Sequence, residues 1–227
     1  MFLLGMGGVG TVTGTEDTAT KTQEFFSDRE GAPFVYAAGV IEAAMYGTFE
    51  EARTVSRVDG RRITIDMPRG ETDLDALFRT RQRSRKNLEG MFAEILEAVM
   101  ELHARGHMHL DIKPANILVV QDNRLRLIDF GAARPLNTIR HTAYTTEAAK
   151  PPEDRAPSTS NDAWALGTLF MWMLAGPQFC DARRPKRVNS RLWDIAVSLR
   201  AREQRSSLRD AYAKLKLKDE KLFSPTP

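Results

Sequence analysis

The chain has a single cysteine, Cys180, among 227 residues. An internal disulfide and a thiolate metal cluster are therefore excluded, and with them a secreted disulfide scaffold. A hydrophobic run of membrane length is also missing. The longest nearly apolar stretch, Ala163 to Ala175, contains Thr168 and falls short of the ~20 residues a bilayer helix needs. It predicts a buried core helix instead. The apolar Met1 to Leu4 has no positively charged segment before it and runs straight into glycines, so it does not read as a signal peptide. Nor does one sign of charge dominate: Lys plus Arg number 33 against 30 for Asp plus Glu, a net +3. Such a balance points to a nucleic-acid partner only if the cations cluster. What is present, at 42% hydrophobic and 28% charged, suffices to bury a core in one or two domains of a soluble protein in a reducing, intracellular compartment.

Glycine is plentiful at the start, at Gly5, Gly7, Gly8, Gly10 and Gly14, mixed with Val and Thr in a strand-and-loop composition. Thr11 to Thr15 and Thr18 to Gln23 predict a hairpin turning at Glu16 and Asp17. Phe34, Ala38, Ile41 and Met45 recur at helical spacing, with Gly47 as the expected C-terminal stop. Ala52 to Val58 and Arg62 to Met67, separated by Asp59-Gly60, predict a second hairpin. Together these make a sheet of about five strands with one helix. After Pro68 the pattern changes. Leu88, Met91, Phe92, Ile95, Leu96, Val99 and Leu102 predict an amphipathic helix ending at Gly106. Two short strands are expected around Asp122-Asn123, at Ile117 to Val120 and Leu125 to Ile128. Later helices are expected over Leu192 to Leu199 and Ser206 to Leu215.

Two segments carry chemistry. Gly5-x-Gly7-x-x-Gly10-x-Val12 follows the apolar Phe2 to Leu4, and glycines at that spacing let backbone N–H groups approach a polyphosphate. Val12 and Thr13 are β-formers, where a dinucleotide fold would need a helix. A turn at Glu16 and Asp17 sets Val12 opposite Lys21, and period-two alternation puts Ala19 on the face of Lys21. One apolar pair and one ammonium then line a cleft suited to a purine and its phosphates. The second segment, His109-Leu110-Asp111-Ile112-Lys113-Pro114-Ala115-Asn116, lies between the amphipathic helix and a strand, and Asp129-Phe130-Gly131 follows. A hairpin between the two would bring Asn116 and Asp129 to one rim, where an amide and a carboxylate can share Mg²⁺.

The glycine segment, the Ala19-x-Lys21 pair, the His-x-Asp-x-Lys-x-x-Asn loop and Asp-Phe-Gly, in this order, resemble the eukaryotic-type protein kinase family from Gly5 to about Leu215. Pro151-Pro152-Glu153 is similar to the family's Ala-Pro-Glu, and Asp162-x-Trp164-x-x-Gly167 to the start of its buried helix. The resemblance implies an α+β, bilobal fold, a β-rich N-lobe over about 1–67 and a mainly helical C-lobe over about 71–227. These would form a single kinase domain over 1–227 with a hinge near 65–70. It implies that Gly5, Gly7, Gly10, Val12, Ala19, Ile65 and Met67 surround ATP, and that Lys21 holds its α and β phosphates while Glu42 holds Lys21. It further implies that Asp129 and Asn116 ligate Mg²⁺, that Asp111 accepts the proton of the substrate hydroxyl, and that Lys113 neutralises the γ phosphate. Glu24, Glu30, Glu50 and Glu51 compete with Glu42, and Arg205 is the candidate partner of Glu153. Lys113-Pro114 and Thr146, seven positions before Glu153, favour Ser/Thr acceptors over Tyr.

Leu110 departs from the family, standing where most members carry an Arg that reads activation-loop phosphate, and an apolar side chain cannot pair with phosphate. The stretch between Gly176 and Arg205 is also brief for the helices usual there. A shortened docking region implies narrow specificity, a partner that completes the surface, or a pseudokinase scaffold that binds ATP without transferring it. A small-molecule phosphotransferase of related fold is a further alternative. Arg79, Arg81, Arg83, Arg85 and Lys86 form one basic run, and Arg183, Arg184, Lys186, Arg187 and Arg191 another. Both read better as solvated helix faces than as a nuclear-import or anionic-partner patch. Nucleic acid and membrane are not expected partners, and the expected location is cytoplasmic or nuclear. Pro68 and the pared-down frame resemble kinases of large DNA viruses, herpesvirus-like ones in particular, which would place the protein in a host cell.

Overall fold

The structure is a computed structural model and describes residues 2–7, 10–24, 32–49, 55–59, 62–79, 88–138, 151–152, 157–176, 184–186, 188–202 and 205–217. Five strands form the front: β1 (Phe2–Gly7), β2 (Gly10–Gly14), β3 (Thr18–Glu24), β4 (Val55–Asp59) and β5 (Arg62–Pro68). They pair antiparallel in the order β1-β2-β3-β5-β4. Helix α1 (Ala32–Phe49) buries Ala43, Met45 and Tyr46 in the core cluster that also takes Ala19, Ile63, Ile65 and Met67 from the sheet. The β2–β3 register sets Val12 opposite Lys21, as the sequence predicted. Gly47 does not stop α1, which continues to Phe49. A glycine terminates a helix by taking positive φ, and Gly47 is not among the glycines that do, while one inside a helix costs only ~1 kcal/mol.

The back is helical. β6 (Thr72–Asp73) leads into α2 (Leu74–Arg79), and α3 (Leu88–Ala104) buries Phe92, Ile95, Leu96, Val99 and Leu102, the stripe expected from its periodicity. Gly106, at φ +83°, ends it, as expected for the left-handed position after a helix. The two short strands are β8 (Ile117–Val119) and β9 (Leu125–Leu127), and β6 adds to them in the order β6-β8-β9. A two-residue strand, β7 (His107–Met108), pairs with β10 (Arg134–Pro135). Helix α4 (Thr159–Ala175) starts at a capping box on Ser158 and is buried along most of its length. Phe170 of α4 stacks on Phe92 of α3 at 3.8 Å between ring centroids. Asn189 caps α5 (Ser190–Leu199), and Ser207 caps α6 (Leu208–Lys216), two residues later than the expected start.

The α+β class, with a strand-rich front and helical back, is therefore as expected. Among the described residues, no helix is long and apolar enough to cross a membrane. Thr142, Thr145, Thr146, Glu153 and Cys180 lie outside the described residues, as do Glu30, Glu50 and Glu51 and, from the basic runs, Arg81, Arg83, Arg85, Lys86, Arg183 and Arg187.

Gly167 is where α4 rests on α5: a Cβ there would lie 2.7 Å from the carbonyl oxygen of Ala196. Backbone of a packed helix cannot step aside cheaply, so Gly167→Ala is expected to lower the free energy of unfolding by about 1–3 kcal/mol despite alanine's better helix propensity. The urea midpoint against that of the wild type measures it.

Candidate functional site

The site is assembled from three segments. Lys21 projects from β3, two residues along from Ala19 and across from Val12, and its Nζ donates to both Glu42 oxygens of α1 at 2.7 Å and to Asp129 Oδ1 at 3.3 Å. Glu42 is thus the glutamate that meets Lys21, whereas Glu24 pairs with Arg62 at the end of the β3–β5 ladder. Glu42 also receives the side-chain amide of Gln23, two residues along β3. One ammonium here serves two carboxylates. Burial pulls Lys21 down, but the two acids outweigh it and hold the ammonium above its ordinary value. Burial pushes the Glu42 carboxyl up against the pull of Lys21. Asp129 is drawn below its ordinary value, its own burial being offset by Lys21. The charge deficit therefore falls on Glu42.

The loop from His109 to Asn116 forms the second part. Asp111 is buried, and its Oδ2 accepts from Lys113 Nζ at 2.7 Å and Asn116 Nδ2 at 3.0 Å. The same Asn116 nitrogen donates to the Asp111 carbonyl at 2.8 Å, locking the loop into a tight turn completed by the short helix Pro114–Asn116. His109 donates through Nε2 to the Ile128 carbonyl, and its Nδ1 accepts the Asp111 N–H. Those partners require the neutral imidazole, and full burial lowers its basicity accordingly.

Asp129 is the third part. β8 and β9 pair through Ile117 and Leu127, and the Ile128 N–H donates to the Asn116 carbonyl at 3.0 Å, so residue 129 emerges beside residue 116. Asp129 adopts φ +64° and donates its N–H to Tyr46 Oη of α1 at 3.3 Å. Phe130 sits between the Tyr46 ring, edge-on at 5.2 Å, and the His109 ring at 5.3 Å. The donor set at this rim is hard oxygen: the Asp129 carboxylate and the carbonyl of Asn116, whose amide nitrogen is spent on Asp111. So few protein oxygens suit Mg²⁺, which keeps waters and takes substrate phosphates as its other ligands. Among the described residues no group of three or more His, Cys, Asp or Glu forms a self-sufficient metal site.

Four contributions to the site were not anticipated from sequence. Asp162, fully buried at the start of α4, accepts the His109 N–H and the Leu110 N–H at 2.8 Å each and meets His103 Nε2 at 2.8 Å. Its Asp-x-Trp motif marked a helix start without revealing the anchor. Gln23 and Tyr46 share strand and helix periodicity with Lys21 and Glu42, a signal that could have found them. His103 had none. Arg205 donates to the carbonyls of Ala201 and Ser160 and lies 5.2 Å over Trp164. Ile65, at the middle of β5, and Met67, near its end, are both buried.

Residues 43–219 match the model of the protein kinase domain, and the chain belongs to that family. Glycine segment, Lys21 and Glu42 precede the matched span and are tied to it by the contacts described above. The chain is similar to the 3-phosphoinositide-dependent protein kinase 1 of Arabidopsis thaliana, 28% identical over 61% of this chain and 30% of the relative. It is also similar to the mitogen-activated protein kinase p38b of Drosophila melanogaster, 30% identical over 47% of this chain and 30% of the relative. CBL-interacting protein kinase 4 of rice, Oryza sativa subsp. japonica, is 38% identical over 38% of this chain and 21% of the relative. The chain thus spans less than a third of the length of each of these curated relatives.

Asp162→Ala would leave two buried N–H donors without their acceptor, at roughly 1–3 kcal/mol each. The free energy of unfolding by urea is expected to fall by about 3 kcal/mol or more.

Proposed function

We propose that the protein is a Ser/Thr protein kinase that transfers the γ-phosphoryl group of Mg-ATP to a protein hydroxyl, working as one two-lobed unit hinged near Met67. The observation that carries this reading is Lys21 Nζ meeting Glu42 and Asp129 at once, from positions far apart in the chain. Lys21 binds the α and β phosphates, held in place by Glu42. Asp129 and Asn116 would hold Mg²⁺, which would supply positive charge against the phosphates. Asp111 orients the acceptor hydroxyl and takes its proton as the oxygen attacks the γ phosphorus and the bond to the β–γ bridging oxygen breaks, leaving ADP. Lys113, already paired with Asp111, offsets charge on the transferring group. Gly5, Gly7, Gly10, Val12, Ala19, Ile65 and Met67 form the nucleotide cleft. Thr146 supports the Ser/Thr acceptor class. We place the protein inside the cell, with a Ser/Thr protein substrate and a further partner that completes the docking surface. The viral likeness rests on Pro68 and the short frame alone.

Asp111→Asn is expected to lower phosphate transfer from Mg-ATP to a generic basic protein by on the order of 10²- to 10⁴-fold, and Asp129→Asn to abolish it. Equal incorporation by wild type and both variants removes the catalytic reading, and ATP binding without transfer by the wild type selects the scaffold.

Leu110 supports independence from activation-loop phosphate. It is buried with Met108 and Ala132, and its positive φ of 64° is held by the N–H bond to Asp162. No cation stands at that position to receive a phosphate. A Thr138→Ala, Thr142→Ala, Thr145→Ala triple variant is therefore expected to keep wild-type activity. Loss of activity restored by Glu at those positions would overturn this.

A further inference from the structure

Gln23 is an anomaly of the strand that carries Lys21. It is 2% exposed on a face otherwise committed to packing and to the Lys21 ion pair. Its Nε2 donates to Glu42 Oε2 at 3.1 Å, and its Oε1 is buried with no partner among the described residues. Turning the amide over would set its oxygen against the Glu42 carboxylate, acceptor against acceptor, so the donating orientation is the one the site permits. Burying an amide with an orphan oxygen costs stability that a methionine or leucine of similar size would not. Packing alone therefore does not account for glutamine here.

The route of the side chain is also specific. It passes beneath the third glycine of the loop, where a Cβ on Gly10 would lie 2.9 Å from Gln23 Cγ and 2.6 Å from the Thr22 carbonyl oxygen. Gln23 thus touches the glycine-loop strand at one end and α1, through Glu42, at the other. Among the described residues, the groups facing Glu42 are Lys21 and Gln23 from β3 and Asp129 from the loop after β9. Of these Lys21 is the sole cation, and Asp129 already draws on it. A phosphate entering the cleft would draw on it further, reducing what reaches Glu42. A neutral amide does not follow the phosphate and would stay on Glu42 throughout.

We propose that Gln23 is a positioning residue of this site: its amide holds the Glu42 carboxylate in its orientation toward Lys21 while Lys21 is shared with the nucleotide. The proposal rests on the kinase reading for the role of Lys21, but the Gln23–Glu42 bond can be tested without catalysis.

Gln23→Met keeps the volume and removes the donor. Gln23→Glu keeps the shape and can donate only when protonated. Burial holds the Glu42 carboxyl above its ordinary value, and loss of a donor raises it further. A carboxyl raised in the folded state favours folding at low pH, and that advantage is lost as pH rises through the folded value. The stability gap between wild type and Gln23→Met should therefore be open at about pH 7 and close as pH falls and Glu42 becomes protonated. The gap for Gln23→Glu should close in the same direction. For either variant, kcat/KM for Mg-ATP is expected to fall about tenfold or more at neutral pH, the loss of one hydrogen bond to a charged group, with its acid limb displaced to higher pH. A gap that is constant across pH, or wild-type kcat/KM and acid limb in both variants, overturns the proposal. If the wild type transfers no phosphate, the kinase reading fails and the pH dependence of the stability gap still decides whether Gln23 holds Glu42.

Discussion

The carboxylate of Asp162 has no exposure to solvent, and the loop carrying Asp111, Lys113 and Asn116 hangs from it through two consecutive backbone N–H groups. A charge in that position is tolerated because it is fully engaged: His103 of α3 completes its partners, and the whole assembly sits on α4, whose burial between α3 and α5 gives it little room to move. The bond to Leu110 also holds that residue at a φ that L-residues avoid, a strain of roughly 1–2 kcal/mol that the surroundings must over-determine. Because the strain lies next to Asp111, the rigid helical back sets where that carboxylate stands.

The front of the site obeys a different constraint. Lys21, Glu42 and Asp129 come from a strand, a helix and a loop, and they carry one positive charge against two negative ones. A buried carboxylate and a half-exposed one sharing a single cation are mutually unfavourable unless further cations or donors arrive. The amide of Gln23 supplies a donor on one side, and in the proposed mechanism a divalent cation supplies charge on the other. Tyr46 and Phe130 link this front to the back: the tyrosine hydroxyl accepts from the Asp129 N–H, and the phenylalanine ring spans to His109. A displacement of α1 would therefore disturb both the Lys21 pair and the turn at Asp129.

Much of the fold could be read in advance where local rules are strong. The stripe from Leu88 to Leu102 and the β2–β3 register follow from periodicity, which depends only on neighbours along the chain. The apolar stretch ending at Ala175 was likewise recognisable as a buried helix, which extends N-terminally to Thr159. Gly47 misled because a glycine inside a helix costs only ~1 kcal/mol, and α1 runs on to Phe49. β6, β7 and β10 escaped notice because two residues carry no period, and their pairing is decided entirely by where the chain returns.

For the site, the residue types and their order were set by sequence: a lysine beyond a glycine segment, the His-x-Asp-x-Lys-x-x-Asn loop, and Asp-Phe-Gly. Sequence could not say which of several glutamates would reach Lys21, because that depends on how α1 leans against the sheet. Nor could it show that Asp162 suspends the loop, or that Gln23 spends its amide on Glu42. These are contacts between side chains distant in the chain, and they exist only once burial has brought the elements together and removed water as the competing partner. Sequence determined the chemical inventory. The tertiary structure decided which donors and acceptors would have to satisfy one another.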